Sequence, residues 1–387
     1  MRPAVILCND TDYFLRHRTP VAEALAASGR RVVVVSGGRG PLASETQGWE
    51  HVFVPIERWS FSPARDLALL IRSLSLLLRL RPAAVHLITL KPAVFGGLAA
   101  LAARLLTRHP RRTVVTIPGL GRLMSPGSDH AGFRHRASRA LVRAAIRLLS
   151  RSRDARFTFE TRHDRDLWVA QGLISAERAH VIGGAGVDPA RFHPPAGSRP
   201  DRPLTVLFAS RLLKAKGLDA FVSAAAALGH RTGCKFLVAG MAEPDEPDRF
   251  PVEKLAALPN LDFIGESRDM PSLLRGVDVV CLPTRYGEGI PRILIEAAAT
   301  GLPCITTDFE GCREIVRHEA NGFLVPPGAS AQMADAIRRA VERYLDEPEL
   351  LARHGEASLA VFRAGPFREA DVVAAFLKLL TPEGDRD

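Results

Sequence analysis

Long uninterrupted apolar runs are missing from this chain of 387 residues. The amino terminus offers only AVILC before Asn9 and Asp10, and the interior candidates LALLIRSLSLLLRL and AVFGGLAALAARLL are cut by Arg72, Arg79 and Arg104. Neither a signal peptide nor a spanning helix is therefore expected. Cysteine is scarce: Cys8, Cys234, Cys281, Cys304 and Cys312 are odd in number, show no Cys-x-x-Cys spacing and mostly fall in strand-like runs. Structural disulfides and a zinc site are not expected, and the pattern fits a cytosolic compartment. Lysine is rarer still, with six against 46 arginines. No Asp-x-Asp reads as a clustered divalent-ion site, so neither metal nor cofactor is expected.

What is present fits a soluble two-domain protein, since 47% hydrophobic and 24% charged residues are ordinary for a globular chain of this length. The charge is unevenly shared. Residues 1–200 carry 30 Lys and Arg against 14 Asp and Glu, a net +16, and the remainder carries a net −6. Thirteen arginines and only two acids lie between Arg104 and Arg156. That half should meet an anionic partner. No aromatic residues interleave with those arginines apart from Phe133, which argues against nucleic acid.

Apolar runs alternate with helical patterns from residue 1: AVILCN, TPVAEALAASG, RVVVVSG, HVFVPI, a helix near 66–80, AVHLIT, a helix near 93–106, and RTVVTIPG. This is the rhythm of a doubly wound α/β domain. Helices near 133–150 and 164–171 follow, and then the Pro- and Gly-dense GGAGVDPARFHPPAGSRPDRP breaks the pattern as a linker. The rhythm restarts with PLTVLFASR, a helix over 218–228, CKFLVAG, LDFIG, DVVCLP and PCITTD. The expected domains are 1–187 and 188–366, with a last helix, ADVVAAFLKLL, in 367–387.

One stretch raises a chemical question. RYGEGIPRILIEAAATGLP places Glu288 between two glycines and Glu296 eight positions later in an unusually apolar helix. Pro291 fits that helix's opening turn and Gly301 its end. Glu288 thus stands at the carboxyl edge of a parallel sheet, where helix N-termini favour phosphate. The apolar neighbours of Glu296 argue for burial with a partner. Lys214 and Lys216 follow Arg211 closely at the end of another strand, suited to a diphosphate, and Gly217 turns the chain into the next helix.

RLLKAKGLDAF, the run from LDFIG to CREIV, and NGFLVPPG resemble the C-terminal half of the family 4 retaining glycosyltransferases of the GT-B fold. The spacing of Glu288 and Glu296 is similar to that family's Glu-x7-Glu element, and the likeness extends from Thr205 to Gly328. GGAGVDPARFHP is a looser likeness, and TIPGLG with FGGLAALAARLL is similar to members that extend polyprenyl-diphosphate-linked sugars. The resemblance implies two Rossmann-like domains, an acceptor-binding first domain onto which the last helix packs back, and a nucleotide-sugar-binding second domain. It gives Arg211, Lys216 and Glu288 catalytic roles, the first two on the donor diphosphate and Glu288 on hydroxyls of the transferred sugar. Glu296 would take the ribose diol, with Gly289, Ile290, Pro291, Arg268 and Gly240 completing the nucleotide-sugar site. Gly119, Gly121, Arg122 and Arg18 would face the acceptor. Two departures stand out: TIPGLG lacks the family's histidine, His109 being seven residues too early, and Ala185 replaces the Asn before Gly186.

The implied activity is α-retaining transfer, without metal, from a UDP-sugar to a polyprenyl-diphosphate-linked or other saccharide acceptor in surface glycan assembly. The place would be the cytoplasmic face of a bacterial membrane. Arg139, Arg143, Arg147 and Arg151 recur at spacing four beside an apolar stripe of Phe133, Ala137, Leu141, Ala144, Ala145 and Leu148, a pattern suited to an anionic lipid surface. A sugar-nucleotide epimerase of the same fold and a basic nucleic-acid-binding protein each fit part of the pattern.

Overall fold

A computed structural model describes residues 1–38, 48–56, 62–119, 133–197, 202–231, 233–242, 246, 248–257 and 260–382. The chain forms two compact units. The first comprises Met1–Ala185 with Glu369–Asp387, and the second Gly186–Arg368.

The first unit is built on seven strands: β1 (Ala4–Cys8), β2 (Val32–Ser36), β3 (Glu50–Phe53), β4 (Ala84–Ile88), β5 (Arg112–Ile117), β6 (Ala155–Phe159) and β7 (Ala179–Val181). They lie in the order β3-β2-β1-β4-β5-β6-β7, every pair parallel. β1 and β2 are buried throughout, which is why AVILC and VVVVS read as continuous apolar runs and not as alternating ones. β6 and β7 extend the sheet beyond the five strands expected. ARFTF carries an arginine and AHV is only three residues long, so neither announces itself as a buried run.

Helices cover both faces. On one lie α1 (Thr11–His17), α2 (Thr19–Ala27) and the last helix, α13 (Glu369–Leu380). On the other lie α3 (Pro63–Leu80), a π-turn over Pro92–Gly96, α4 (Gly97–Thr107), α5 (Phe133–Ser150) and α6 (Arg162–Ala170). In α5 the inward side is Val142, Ala145, Ile146 and Leu149. This corrects the expected apolar stripe. Of its described members only Ala145 is buried, while Leu141 and Leu148 are each 46% exposed and Ala137 and Ala144 face solvent. The true core stripe lies about 100° around the helix, one residue along.

Arg18 also departs from expectation. Placed at the acceptor by resemblance, it is 1% exposed, pairs with Glu160 at 3.1 Å, donates to the Gly184 carbonyl and lies 5.3 Å over the Phe376 ring. A buried arginine needs its charge partner close by, and this one is committed to packing α13 onto the sheet. Phe376 also stacks 5.0 Å from His86, whose Nε2 meets Thr116 Oγ1 at 2.7 Å. Burial, aided by the Arg18 cation, lowers the His86 pKa to about 3.

The second unit has six strands: β8 (Leu204–Ala209), β9 (Cys234–Ala239), β10 (Leu261–Phe263), β11 (Val279–Leu282), β12 (Cys304–Thr307) and β13 (Gly322–Val325). Their order is β10-β9-β8-β11-β12-β13, again wholly parallel. The helices are α7 (Leu218–Ala227), α8 (Met270–Arg275), α9 (Arg292–Ala299), α10 (Glu310–Arg313), α11 (Ser330–Asp346) and α12 (Pro348–Ala364). The unit's two ends meet, the Val187 N–H donating to the Phe367 carbonyl at 2.9 Å.

The α13 contact gives a direct test. Phe376→Ala removes a fully buried ring from the Arg18–His86 cluster and is expected to cost about 3–5 kcal/mol in urea unfolding. A loss below about 1 kcal/mol would mean that α13 is not part of the first unit's core.

Candidate active site

In the second sheet, successive strands run outward from β8 in one direction through β9 and β10, and in the other through β11, β12 and β13. The loops after β8 and β11 therefore diverge at the carboxyl edge, and open α/β sheets collect ligands at such a switch point. Both candidate motifs lie on these two loops.

After β8 come Ser210 and the half-buried Arg211, then a 3₁₀ turn over Lys214–Lys216 and Gly217. Asp248 pins this loop by accepting from the Ala215 N–H at 2.8 Å, while its carbonyl accepts from Lys214 N–H at 2.9 Å. Gly217 has φ +78° and lies so close to Pro283 that a Cβ would strike that residue's carbonyl. Only glycine suits such a position. The loop after β11 is tied to the first by the Arg285 N–H on the Ala215 carbonyl at 2.9 Å and by the Arg285–Asp219 pair at 2.6 Å.

These ties bring Lys216 and Glu288 together. Lys216, 7% exposed, donates from Nζ to both Glu288 carboxylate oxygens at 2.7 and 2.6 Å and lies 5.0 Å from the Tyr286 ring. Burial alone would pull the Lys216 pKa down, but the Glu288 carboxylate and Tyr286 outweigh it and hold the ammonium above its ordinary value. Glu288 keeps a quarter of its side chain exposed. Gly311, at the start of α10, backs this loop: a Cβ there would run into the Gly289 and Glu288 carbonyls.

The helix that follows differs slightly from expectation. Pro291 is its N-cap, with ψ 120°, and the first turn begins at Arg292. Gly301, at φ +75°, ends it as expected. Every residue from Ile293 to Ala299 is buried, so α9 is a core helix with its N-terminus at the ligand edge. Glu296 is 8% exposed and accepts from Arg292 Nε at 2.8 Å, one turn earlier. Burial raises its carboxyl pKa, and the Arg292 cation partly counters that. The i,i+4 spacing of Arg292 and Glu296 was the available signal for this partner.

Gly289 and the buried Ile290 complete the Glu288 loop, and Gly240 follows β9 beside the Arg211 loop, its N–H on the Gly265 carbonyl at 2.8 Å. Arg268 is exposed between β10 and α8, two strands removed from β8. In the first unit, Gly119 lies half-buried just past β5, whereas Gly121 and Arg122 fall outside the described residues. Thr89 stands at the first sheet's own switch point between β4 and β1, a position that no sequence pattern marks. Its φ is +76° and its buried hydroxyl has no hydrogen-bond partner among the described residues, a strained arrangement of the kind that concentrates at functional sites.

No group of three metal-ligating side chains occurs among the described residues. The sequence does contain Asp-x-Asp at Asp10/Asp12, Asp164/Asp166 and Asp385/Asp387; Asp10 caps α1 through the Tyr13 N–H at 2.7 Å, Asp166 accepts from Arg165, and Asp385 and Asp387 lie outside the described residues.

Two family models match, and together they run through most of the chain: Glycosyltransferase Family 4 over residues 16–191 and Glycosyl transferases group 1 over residues 190–358. The chain is 27% identical to the putative glycosyltransferase EpsD of Bacillus subtilis, covering 99% of both chains. It is 35% identical to an alpha-D-kanosaminyltransferase of Streptomyces kanamyceticus, over 40% of each chain. Among solved structures, Anabaena HepE in complex with UDP and glucose superposes with a TM-score of 0.74 at 18% identity, covering 98% of this chain and 99% of that one. With two wholly parallel α/β units, this chain belongs to the family 4 glycosyltransferases and has the GT-B fold.

Proposed function

We propose that the protein is an α-retaining, metal-independent glycosyltransferase that moves a sugar from a UDP donor to a lipid-linked saccharide in surface glycan assembly. The observation that carries this reading is the Lys216–Glu288 pair at the switch point. An ammonium has three donors, and Glu288 occupies two of them. The third is directed towards Tyr286, and a diphosphate oxygen would take that place, with Arg211 and the positive end of α9 to neutralise the leaving group. Glu288 retains acceptor lone pairs for sugar hydroxyls. Glu296, oriented by Arg292, offers two oxygens to a ribose diol. The complex of HepE with UDP and glucose supports a uridine nucleotide as donor.

For the acceptor side, the support is the surface of the first unit. Leu67 and Ile71 on α3, Leu105 and Leu106 on α4, and Leu141 and Leu148 on α5 are 46–86% exposed, all on the helix layer of one sheet face. Arg72, Arg79, Arg147 and Arg151 are exposed on or beside the same helices. An apolar surface rimmed by arginine suits the interface of an anionic bilayer. Among the described residues no helix is long and apolar enough to cross a membrane. The protein would then act at the inner face of the cytoplasmic membrane from its surface.

Three outcomes are expected. Glu288→Ala lowers kcat, whereas Glu296→Ala raises the donor KM about tenfold, for one charged hydrogen bond of roughly 1.5 kcal/mol. Because the Glu296 pKa is raised above 4.5, its protonation and the loss of the Arg292 pair begin above that pH. Donor affinity should therefore fall on acidification sooner than for an ordinary glutamate, and Glu296→Gln should flatten that limb. Wild-type donor kinetics in both alanine variants would refute the donor site.

Arg211→Ala and Lys216→Ala should each remove most turnover, while EDTA leaves the wild-type enzyme active. A strict requirement for Mg²⁺ or Mn²⁺ would contradict this mechanism. At the membrane, Leu105→Ser with Leu106→Ser, Arg147→Gln and Arg151→Gln should weaken sedimentation with anionic vesicles, at about 1 kcal/mol per arginine near the surface, and leave UDP binding intact. Unchanged sedimentation would show the face to be merely solvated.

A further inference from the structure

Protein interiors are close-packed, with few voids larger than a water molecule. The first unit departs from this beneath α3. That helix leans on α4 and the π-turn, and between it and strands β1, β2 and β3 lies a cavity of about 450 Å³. Val5, Leu7, Val35 and Val52 wall it on the sheet side, and Leu76 and Leu77 on the helix. Ser73 and Ser75, small residues in an otherwise leucine-rich stretch, also line it and leave the space open. A second cavity of about 300 Å³ shares Phe53, Val54 and Arg72 with the first and reaches Gly38 at the carboxyl end of β2. Cavities in this size range with apolar walls are typical ligand sites.

Charge marks the rim. Arg65 and Arg72 line the second cavity, and Arg72 and Arg79 the first. Their spacing of seven returns each to within about 20° of the same side of the helix, so they form one row about 21 Å long. α3 begins beside Gly38, at the sheet's carboxyl edge, and ends near Val5 and Val85, at its amino edge. A channel with an apolar floor and a cationic rim fits an anionic amphiphile.

We propose that this channel holds the hydrocarbon chain of an isoprenoid diphosphate, the lipid moiety of the acceptor, with its diphosphate against Arg65 and Arg72 at the carboxyl edge. The assignment rests on the lipid-linked acceptor proposed above. Exposed Ile71 lies at the mouth and joins the channel to the apolar helix surface, so a chain can enter from a bilayer without crossing water.

Equilibrium binding of farnesyl diphosphate to the full chain tests this, with urea unfolding of each variant as the check on folding of the first unit and UDP binding as the check on the second. Ser73→Phe, which fills the cavity, and Val52→Phe, which narrows it from the edge strand, should each weaken farnesyl diphosphate at least tenfold. Arg65→Gln with Arg72→Gln should weaken it similarly but leave farnesol unaffected. UDP binding should not change in any of them. Farnesyl diphosphate binding at wild-type strength in both cavity-filling variants overturns the proposal, as does displacement by inorganic pyrophosphate at equal concentration. Turnover separates the two readings. If Ser73→Phe and Val52→Phe glycosylate a lipid-linked acceptor as well as wild type does, the channel is wrong and the lipid-linked reading stands. If wild type glycosylates only water-soluble saccharides, both fall.

Discussion

The ion pair between Lys216 and Glu288 is the constraint on which the second unit's chemistry depends. Two charges lie at the edge of a domain core, and each is tolerable there because the other is 2.6 Å away. The pair exists only because β8 and β11 are neighbours although they are far apart in sequence, and because both their loops are fixed from outside. Asp248 holds one, Asp219 grips the other through Arg285, and Gly311 and Gly217 let backbone approach backbone where no side chain would fit. Lys216 stays charged because the carboxylate outweighs its burial. A preorganised cation of this kind needs little rearrangement when negative charge develops on a leaving group.

The first unit uses the same sheet architecture to a different end. Its two faces are unequal: one is sealed by α1, α2 and α13 through Arg18, His86 and Phe376, while the other carries exposed leucines, arginines and the channel beneath α3. Arg18 belongs to the sealed side. Its burial spends a cation that the sequence makes look available, and the reward is a C-terminal helix held on the N-terminal sheet.

Much of this could be read from the residues alone. The strands that are buried on both faces, such as VVVVS and VVCL, were legible because nothing polar interrupts them. ARFTF was not, because its arginine interrupts the apolar run, and AHV was not, because it is a three-residue edge strand. The burial of Glu296 follows from its alanine and isoleucine neighbours, whereas its partner Arg292, one turn away, reads equally well as a solvated residue of the helix's first turn. For α5, periodicity identified the helix, yet the choice of face was off by one residue, since alanines and leucines occur on both sides of Val142 and Ile146. The contact between Lys216 and Glu288 is 72 residues long-range. Sequence spacing carries no such information, only the topology that follows from strand order.

The most direct test of the central claim is a double-mutant cycle on Lys216→Met and Glu288→Gln, read as kcat/KM for donor consumption. If the two side chains act as one unit on the donor, each single change should cost nearly as much as the double, with a coupling energy of about 1–3 kcal/mol. Additive losses, or none, would mean that the pair only holds the two loops together and that the donor is bound elsewhere.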